Sequence, residues 1–240
     1  MLKRLRRWWA GAAWWRRGLA ITGVVLLIAV AWIAQGVLSV LWQVDAYADH
    51  WDQRAQADGE IVYVALGDSA AQGVGASDPD RGYVGLLADR IEEATGQTVR
   101  VVNLGASGAR AADVLEAQLP LLDDLDADVI TLAVGGNDAG NTDPQDFRTS
   151  ITTLLDALPA GTFVGDLPDF QGGPRLGASL TLSAIVRDEL GSRPSLVAVP
   201  LEATTSANTW LDYAPDFFHP DDSGYERWAE AFWQRIQGRM

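Results

Sequence analysis

One stretch decides the fold of this chain: Ile61-Val62-Tyr63-Val64-Ala65-Leu66-Gly67-Asp68-Ser69. Its first six residues are apolar, aromatic or β-branched without interruption, which is typical of a central parallel strand that has helices on both faces. The run then ends in a small, polar turn. Because ligands bind at the carboxyl ends of the strands in such sheets, the sequence predicts that Ser69 lies where chemistry would take place.

Composition and charge limit the classes of fold and function that the chain can have. At 240 residues, with 48% hydrophobic and 21% charged residues, it holds enough apolar material for one globular domain and an appendage. The net charge of −14 is uneven: six of the 18 basic residues precede Gly18, and the other 12 accompany all 32 acidic residues from Asp45 onward. A body this acidic is not expected to bind nucleic acid. The absence of cysteine excludes disulfides, zinc–thiolate sites and a thiol nucleophile.

The 27 residues from Gly18 to Val44 carry no charge, whereas a membrane-spanning helix needs only about 20. We therefore predict a basic cytoplasmic segment at 1–17 and a transmembrane helix at 18–44. The positive flank would hold the amino terminus in the cytoplasm and place the following domain outside, in a single-pass protein of the cell membrane. The alternative is a secreted protein cleaved near Ala31, but the apolar run continues well past that point.

Residues 45–59 form a polar linker, for which a helical stalk and a loose tether both fit the sequence. From residue 60 to 240, short β-rich runs alternate with helical segments, and we find no second domain. This alternation predicts a three-layer α/β/α fold around a parallel sheet of about five strands. After the first strand, the predicted segments are helix 83–95, strand 98–104, helix 109–119, strand 128–134, helix 146–158, strand 162–167, helix 180–190, strand 196–201 and helix 223–237.

The turns that follow the first three strands share small and polar residues. They are Gly67-Asp68-Ser69, Asn103-Leu104-Gly105-Ala106-Ser107-Gly108 and Gly135-Gly136-Asn137-Asp138, and Asp216-Phe217-Phe218-His219-Pro220 precedes the last helix. Each is a plausible turn when taken alone. Four such elements in this order, three of them directly after predicted strands, indicate one site.

These residues resemble the SGNH or GDSL-type serine hydrolases, and in particular the bacterial members. The four positions that name that family correspond to Ser69, Gly105, Asn137 and His219. The resemblance covers about residues 61–232 and includes further matching stretches at 73–76, 82–83 and 224–225. It implies a flavodoxin-like α/β/α fold and an esterase or lipase that uses a serine nucleophile without a metal or organic cofactor.

The chemistry of the residues agrees with what the resemblance implies. A serine hydroxyl needs a base, and His219 is the only histidine within 60–240. Asp216, at the family's position for the acid, would orient the imidazole. The resemblance also implies an oxyanion hole formed by the backbone N–H groups of Ser69 and Gly105 and by the side-chain amide of Asn137.

The favoured function is therefore a serine hydrolase of carboxylic esters, acting as a monomer on a small ester, a lipid or an acylated glycan. The alternative is a catalytically silent surface domain that binds lipid or glycan, although such a domain has no need for all of Ser69, Asp216 and His219. Asp68 does not fit an aspartyl-phosphate phosphatase, because Ala70 stands where the second acid is expected.

Overall fold

The structure is a computed structural model that describes residues 2–171 and 175–240, with the backbone alone for residues 2–13, 17, 32 and 37. The described chain divides into two compact units, which meet between Ser39 and Val40. The first helix, α1, spans Leu2–Arg54 and contributes to both units. Of the six basic side chains before Gly18, only that of Arg16 belongs to the described part, so the predicted basic cytoplasmic segment at 1–17 lies mostly outside it.

The amino-terminal unit consists of the first part of α1. Within α1, the portion Trp14–Arg54 is long and apolar enough to cross a membrane, with a mean hydropathy of 2.5 over its most apolar 18 residues. Large apolar side chains such as Leu27 and Ile28 are exposed along it. By length and composition it is a candidate for a membrane anchor or a signal sequence.

The second unit contains a five-stranded parallel sheet, as the alternating pattern predicts. The strands are β1 (Ile61–Gly67), β2 (Val99–Asn103), β3 (Val129–Ala133), β4 (Phe163–Gly165) and β5 (Val197–Val199). Their order in the sheet is β2-β1-β3-β4-β5, which is the flavodoxin-like order. β1 lies inside the sheet, between β2 and β3, with Tyr63 opposite both Val101 and Val129.

Alternate residues of β1 enter two separate hydrophobic clusters, one on each face of the sheet. Tyr63 and Ala65 pack against one layer of helices, whereas Val64 and Leu66 pack against the other. Because both faces are covered, β1 is apolar throughout rather than alternating with polar residues. The three-layer α/β/α prediction is thereby confirmed.

The remaining helices follow the sequence pattern except at two places: the helix predicted at 109–119 is largely replaced by other turns, and a short helix at Leu201–Thr205 is not predicted. They are α2 (Tyr83–Thr95), α3 (Ala111–Asp113), α4 (Pro144–Ala157), α5 (Leu176–Gly191), α6 (Leu201–Thr205) and α7 (Asp222–Ile236). The predicted helix at 109–119 is instead the short α3, followed by a π-turn at Val114–Gln118 and a 3₁₀ turn at Leu119–Asp124. Pro120 lacks a backbone N–H, and it stands at the start of the 3₁₀ turn, where a regular α-helix cannot continue.

The predicted linker at residues 45–59 is helical over its first ten residues. α1 continues through it as far as Arg54, and only the last few residues before β1 are non-helical. Trp51 and Tyr47 are buried in the second unit, although the surrounding sequence is polar. The end of α1 is therefore a packed element of the second unit.

Candidate active site

The turn after β1 brings Ser69 to the carboxyl edge of the sheet. Gly67 is needed there, because its φ is +150° and a Cβ would lie 2.2 Å from the carbonyl oxygen of Ala133. The side chain of Gln118 donates to the Gly67 carbonyl at 2.8 Å and accepts from its N–H at 2.9 Å. The backbone that delivers Ser69 is thus fixed by both its neighbour strand and a buried amide.

The predicted nucleophile, base and acid lie in one hydrogen-bonded line. His219 Nε2 is 2.8 Å from Ser69 Oγ, and His219 Nδ1 is 2.5 Å from Asp216 Oδ2. A carboxylate can only accept, so Nδ1 carries the proton and Nε2 is left to accept from the serine hydroxyl. In this arrangement the imidazole can accept the proton of the Ser69 hydroxyl.

One loop supplies both the acid and the base. Asp216 Oδ1 accepts from the backbone N–H groups of Phe218 and His219, at 3.0 and 3.1 Å. Phe217, which follows Asp216 directly, is exposed. Its φ of +54° is unfavourable for a bulky residue. A backbone hydrogen bond from Ala214 to the His219 carbonyl closes the loop at 2.8 Å. The loop thus holds the imidazole by several bonds at once.

Two carboxyl groups near Ser69, the buried Asp68 and the partly buried Asp216, have pKa values shifted in opposite directions. Burial raises the pKa of Asp216, but hydrogen bonds and charge from His219, with the two backbone N–H groups, outweigh it and hold the pKa below its ordinary value. For Asp68 burial dominates and raises the pKa to about 6, although the Ala70 N–H bonds its carboxylate at 2.9 Å. Asp216 is therefore ready to accept from His219 at neutral pH.

The three predicted oxyanion donors differ in whether they already make a hydrogen bond to another protein group. The N–H of Ser69 makes no hydrogen bond within the described parts of the chain. The Gly105 N–H is engaged, because it donates to Asn103 Oδ1 at 3.0 Å. The Asn137 amide nitrogen donates to the Ala109 carbonyl at 3.1 Å and more weakly to Asp68 Oδ2 at 3.4 Å. Without substrate, only one of the three predicted donors is unoccupied.

A second glycine in the same turn is better exposed than Gly105. Gly108 has a φ of +85°, and a Cβ added there would meet no atom within 4 Å. Its N–H makes no hydrogen bond in the described residues. A Cβ at Gly105, by contrast, would lie 2.7 Å from the Cβ of Ala71 and 3.0 Å from the carbonyl oxygen of Asp68. Gly105 thus serves close packing of the turn against the Ser69 loop.

A cavity that opens to solvent lies in front of Ser69. Its walls are mainly apolar and aromatic, formed by Pro168, Phe170, Leu201, Phe218 and Trp228. A cleft with this lining is suited to a small organic ligand.

Phe218 forms the centre of an aromatic stack at this cavity. Its ring stacks on Phe170 with centroids 5.4 Å apart and meets the His219 ring edge-on at 4.8 Å. The guanidinium carbon of Arg175 lies 4.3 Å from the Phe218 ring centroid. The imidazole is therefore bounded by an aromatic wall in addition to its hydrogen bonds.

Two further side chains, those of Gln118 and Asp138, hold the turns that carry the site. Gln118 falls in a predicted helix, where nothing marks it as a residue that points inward. Asp138 is buried and accepts from the Ala111 N–H at 3.1 Å and from Thr142 Oγ1 at 3.0 Å, which ties the turn after β3 to α3. A polar residue inside an apolar helical pattern is the only signal that could have indicated the role of Gln118, whereas Asp138 stands next to Asn137 and is expected from the sequence to cap or orient that turn.

A comparison with protein families covers the chain from β1 into α7. The model of the GDSL-like Lipase/Acylhydrolase family matches residues 65–227. No curated protein matches the chain.

Solved structures show the same fold. The lipase Lip_vut3 from a goat rumen metagenome has a TM-score of 0.61 and 21% identity, and the match covers 75% of this chain and 99% of the lipase. TesA gives 0.59 and 24%, covering 75% and 99%. Axe2, an acetylxylan esterase from Geobacillus stearothermophilus, gives 0.62 and 18%, covering 74% and 94%.

Proposed function

This chain belongs to the GDSL-like lipase/acylhydrolase family, and we propose that it hydrolyses carboxylic esters through a covalent acyl-enzyme on Ser69. The observation that carries the proposal is the unbroken line from Ser69 through His219 to Asp216, at 2.8 and 2.5 Å. A domain that only binds lipid or glycan gains nothing from such a line. Family membership supports a hydrolase acting on esters, and the residue roles are inferred from the geometry.

In the first half of the reaction, Ser69 Oγ attacks the ester carbonyl carbon while His219 Nε2 takes the hydroxyl proton. The carbonyl π electrons move onto oxygen and form a tetrahedral oxyanion. The oxyanion then collapses, the bond to the alcohol breaks, and His219 gives its proton to the departing oxygen. Asp216 stays ionised throughout and stabilises the imidazolium by the Nδ1 bond.

In the second half, His219 removes a proton from water as the water oxygen attacks the acyl-enzyme carbonyl. Collapse of the second oxyanion breaks the bond to Ser69 Oγ, which recovers its proton from His219. The products are a carboxylic acid and the free enzyme.

We assign the oxyanion hole to the Ser69 N–H, a glycine N–H of the turn after β2, and the Asn137 amide. If Gly105 is the glycine, Asn103 Oδ1 must release its N–H when substrate binds. Gly108 supplies an unengaged N–H in the same turn without that rearrangement. Asn137 must likewise exchange its 3.4 Å contact with Asp68 for the oxyanion.

The substrate class follows from the cavity and the relatives. Structural neighbours include a lipase and an acetylxylan esterase, so a small ester, a lipid or an acylated glycan each lies within the proposal. The apolar walls of the cavity favour an ester with an apolar group next to the carbonyl. We further propose that the enzyme acts as a monomer.

We also propose that α1 anchors the enzyme in the cell membrane, with the amino terminus in the cytoplasm and the catalytic unit outside. The uncharged run from Gly18 to Val44 and its basic flank support this orientation. Protease added to intact, wall-stripped cells should then degrade the catalytic unit. Its protection would contradict the orientation, and a soluble mature protein that begins near Trp32 would show secretion instead.

The experiment that tests the function is hydrolysis of p-nitrophenyl acetate and longer acyl esters by the full chain in detergent. Ser69→Ala should lower kcat by about 10⁴-fold or more, because the nucleophile is lost. The matched control is Ser206→Ala, since Ser206 is an exposed serine that bonds only the backbone of α6. Turnover by Ser69→Ala at the wild-type rate would refute the proposal.

A further inference from the structure

We infer that three side chains at the end of α1 (residues 40–54), those of Gln43, Tyr47 and Trp51, position the nucleophile for catalysis, and that Gln43 acts most directly. The inference deepens the proposed function and rests on it. The relevant partner is the stretch Ala70–Ala76 that follows Ser69, which we call the nucleophile loop.

Gln43 uses both ends of its side-chain amide on two successive residues of the nucleophile loop. Its Oε1 accepts from the Gly75 N–H at 3.0 Å, and its Nε2 donates to the Ala76 carbonyl at 3.0 Å. These groups are more than 30 residues apart in sequence and partly buried, so the pairing is a tertiary contact rather than a local turn. The amide thus fixes this short piece of backbone in two directions.

Two further side chains of the same helix bond the nucleophile loop. The Tyr47 hydroxyl donates to the Ala76 carbonyl at 2.8 Å, and Trp51 Nε1 donates to the Gln72 carbonyl at 2.9 Å. Both side chains are almost fully buried, with 6% and 2% of their surface exposed. The end of α1 therefore holds the loop near both of its ends.

The nucleophile loop in turn contacts both Ser69 and His219. The Val74 N–H donates to the Ser69 carbonyl at 3.0 Å, so a shift of the loop is passed directly to the nucleophile. Gly75, with a φ of +101°, packs so closely on the base that an added Cβ would lie 2.7 Å from the Cβ of His219 and 2.4 Å from the Pro220 carbonyl oxygen. The residue that Gln43 holds is thus the residue against which His219 rests.

These contacts predict an effect on the chemical step beyond the stability that any buried contact provides. Loss of the Gln43 bonds frees Gly75 to move, and the Ser69–His219 distance then varies from molecule to molecule. A displacement of about 1 Å in a catalytic pair can lower the rate about 10²-fold. Substrate binding should change little, because the end of α1 does not line the cavity in front of Ser69.

The test uses the full chain in detergent, with p-nitrophenyl acetate as substrate and a fluorophosphonate as the active-site label. Gln43→Ala removes both amide bonds, and Tyr47→Phe removes one hydroxyl while keeping the ring that packs in the core. The matched control is Gln53→Ala, because Gln53 is an exposed glutamine of the same helix whose side chain has no hydrogen-bond partner in the described residues.

We expect Gln43→Ala to lower kcat and the labelling rate by about tenfold, with KM changed less than twofold, and Tyr47→Phe to show a smaller loss in the same direction. Gln53→Ala should match the wild type. Wild-type kcat per folded molecule in Gln43→Ala, even with a lower melting temperature, would overturn the inference and leave the proposed function standing. No hydrolysis or labelling by the wild type would instead refute the proposed function itself.

Discussion

The candidate site has two sides, and they differ in how far their hydrogen bonds are already arranged for catalysis. On the nucleophile side, Ser69, His219 and Asp216 bond one another directly, at distances of 2.8 and 2.5 Å. On the oxyanion side, the Gly105 N–H and the Asn137 amide bond other protein groups. The first side is complete without substrate, whereas on the second side the Asn137 amide, and the Gly105 N–H if it is a donor, must exchange partners when substrate arrives.

The difference follows from what each side can bond in the absence of a ligand. A serine hydroxyl, an imidazole and a carboxylate satisfy one another, so they form a stable line by themselves. Oxyanion donors have no permanent acceptor, and a buried N–H without a partner costs about 1–3 kcal/mol. Nearby acceptors such as Asn103 Oδ1 and the Ala109 carbonyl take that place.

The largest effect should come from breaking the nucleophile side. His219→Ala removes both the base and the link to Asp216, and we expect kcat to fall by about 10⁴-fold or more. The ring lines the cavity in front of Ser69, so we expect thermal unfolding to move by only a few degrees. Steady-state kinetics and a melting curve measure the two quantities.

His50→Ala is the matched control for that variant. His50 is the only other histidine, and its Nε2 contacts Asp80 at 3.2 Å, outside the line of catalytic groups. Its kcat should stay within about twofold of the wild type. Equal losses in the two variants would show that His219 acts through general stability and not as the base.

A smaller effect should come from the oxyanion side. Asn137→Ala should lower kcat by about 10²–10³-fold and leave KM nearly unchanged, because the amide acts mainly on charge that develops in the transition state. Kinetics on the same ester, with thermal unfolding alongside, make the measurement. Earlier unfolding with normal activity of the folded fraction would make Asn137 a structural residue that only holds Ala109.

The smallest effect concerns Asp68, which lies between the two sides and titrates with a pKa raised by burial to about 6. Its folded pKa exceeds the unfolded value of about 4, so the folded state binds the proton more tightly. The resulting stabilisation is complete below about pH 4 and is lost as pH rises through 6, by up to about 3 kcal/mol.

Asp68→Asn keeps the shape of the side chain and cannot ionise. Urea unfolding at pH 4.5 and pH 8 should therefore show a smaller decrease of the free energy of unfolding with pH in Asp68→Asn than in the wild type. Asp216 has the opposite sign: its lowered pKa stabilises the fold above its unfolded pKa, and this is lost as pH falls. An identical pH dependence in Asp68→Asn and wild type would mean that Asp68 is ionised in the fold.

The fold and the family could be predicted from the sequence, because both depend on local patterns. The apolar run of β1 and the alternation of strands and helices require burial on both faces of a sheet, and the sheet has that architecture. Ser69, Asp216 and His219 stand in short motifs at strand ends or before a helix, where topology brings them together. The structure places these three side chains within hydrogen-bonding distance.

What could not be predicted depends on side chains that meet across long separations. The Asn103 amide that occupies the Gly105 N–H and the Gln118 amide that holds Gly67 are visible only once the turns are packed. The docking of Trp51 and Tyr47 is similar, since the polar sequence around them fits a free stalk equally well. Periodicity reports which face of an element is buried and does not report which polar atom finds which partner.

Mapping a fluorophosphonate adduct on the full chain tests the central claim most directly. The reagent bonds covalently to a serine that a neighbouring base has activated, so the Ser69–His219 line at 2.8 Å predicts one adduct per chain on Ser69. Peptide mass spectrometry should find it on the fragment that contains Ser69 in the wild type and should find it strongly reduced in His219→Ala. An adduct on another serine, or undiminished labelling of Ser69 without His219, would contradict the account.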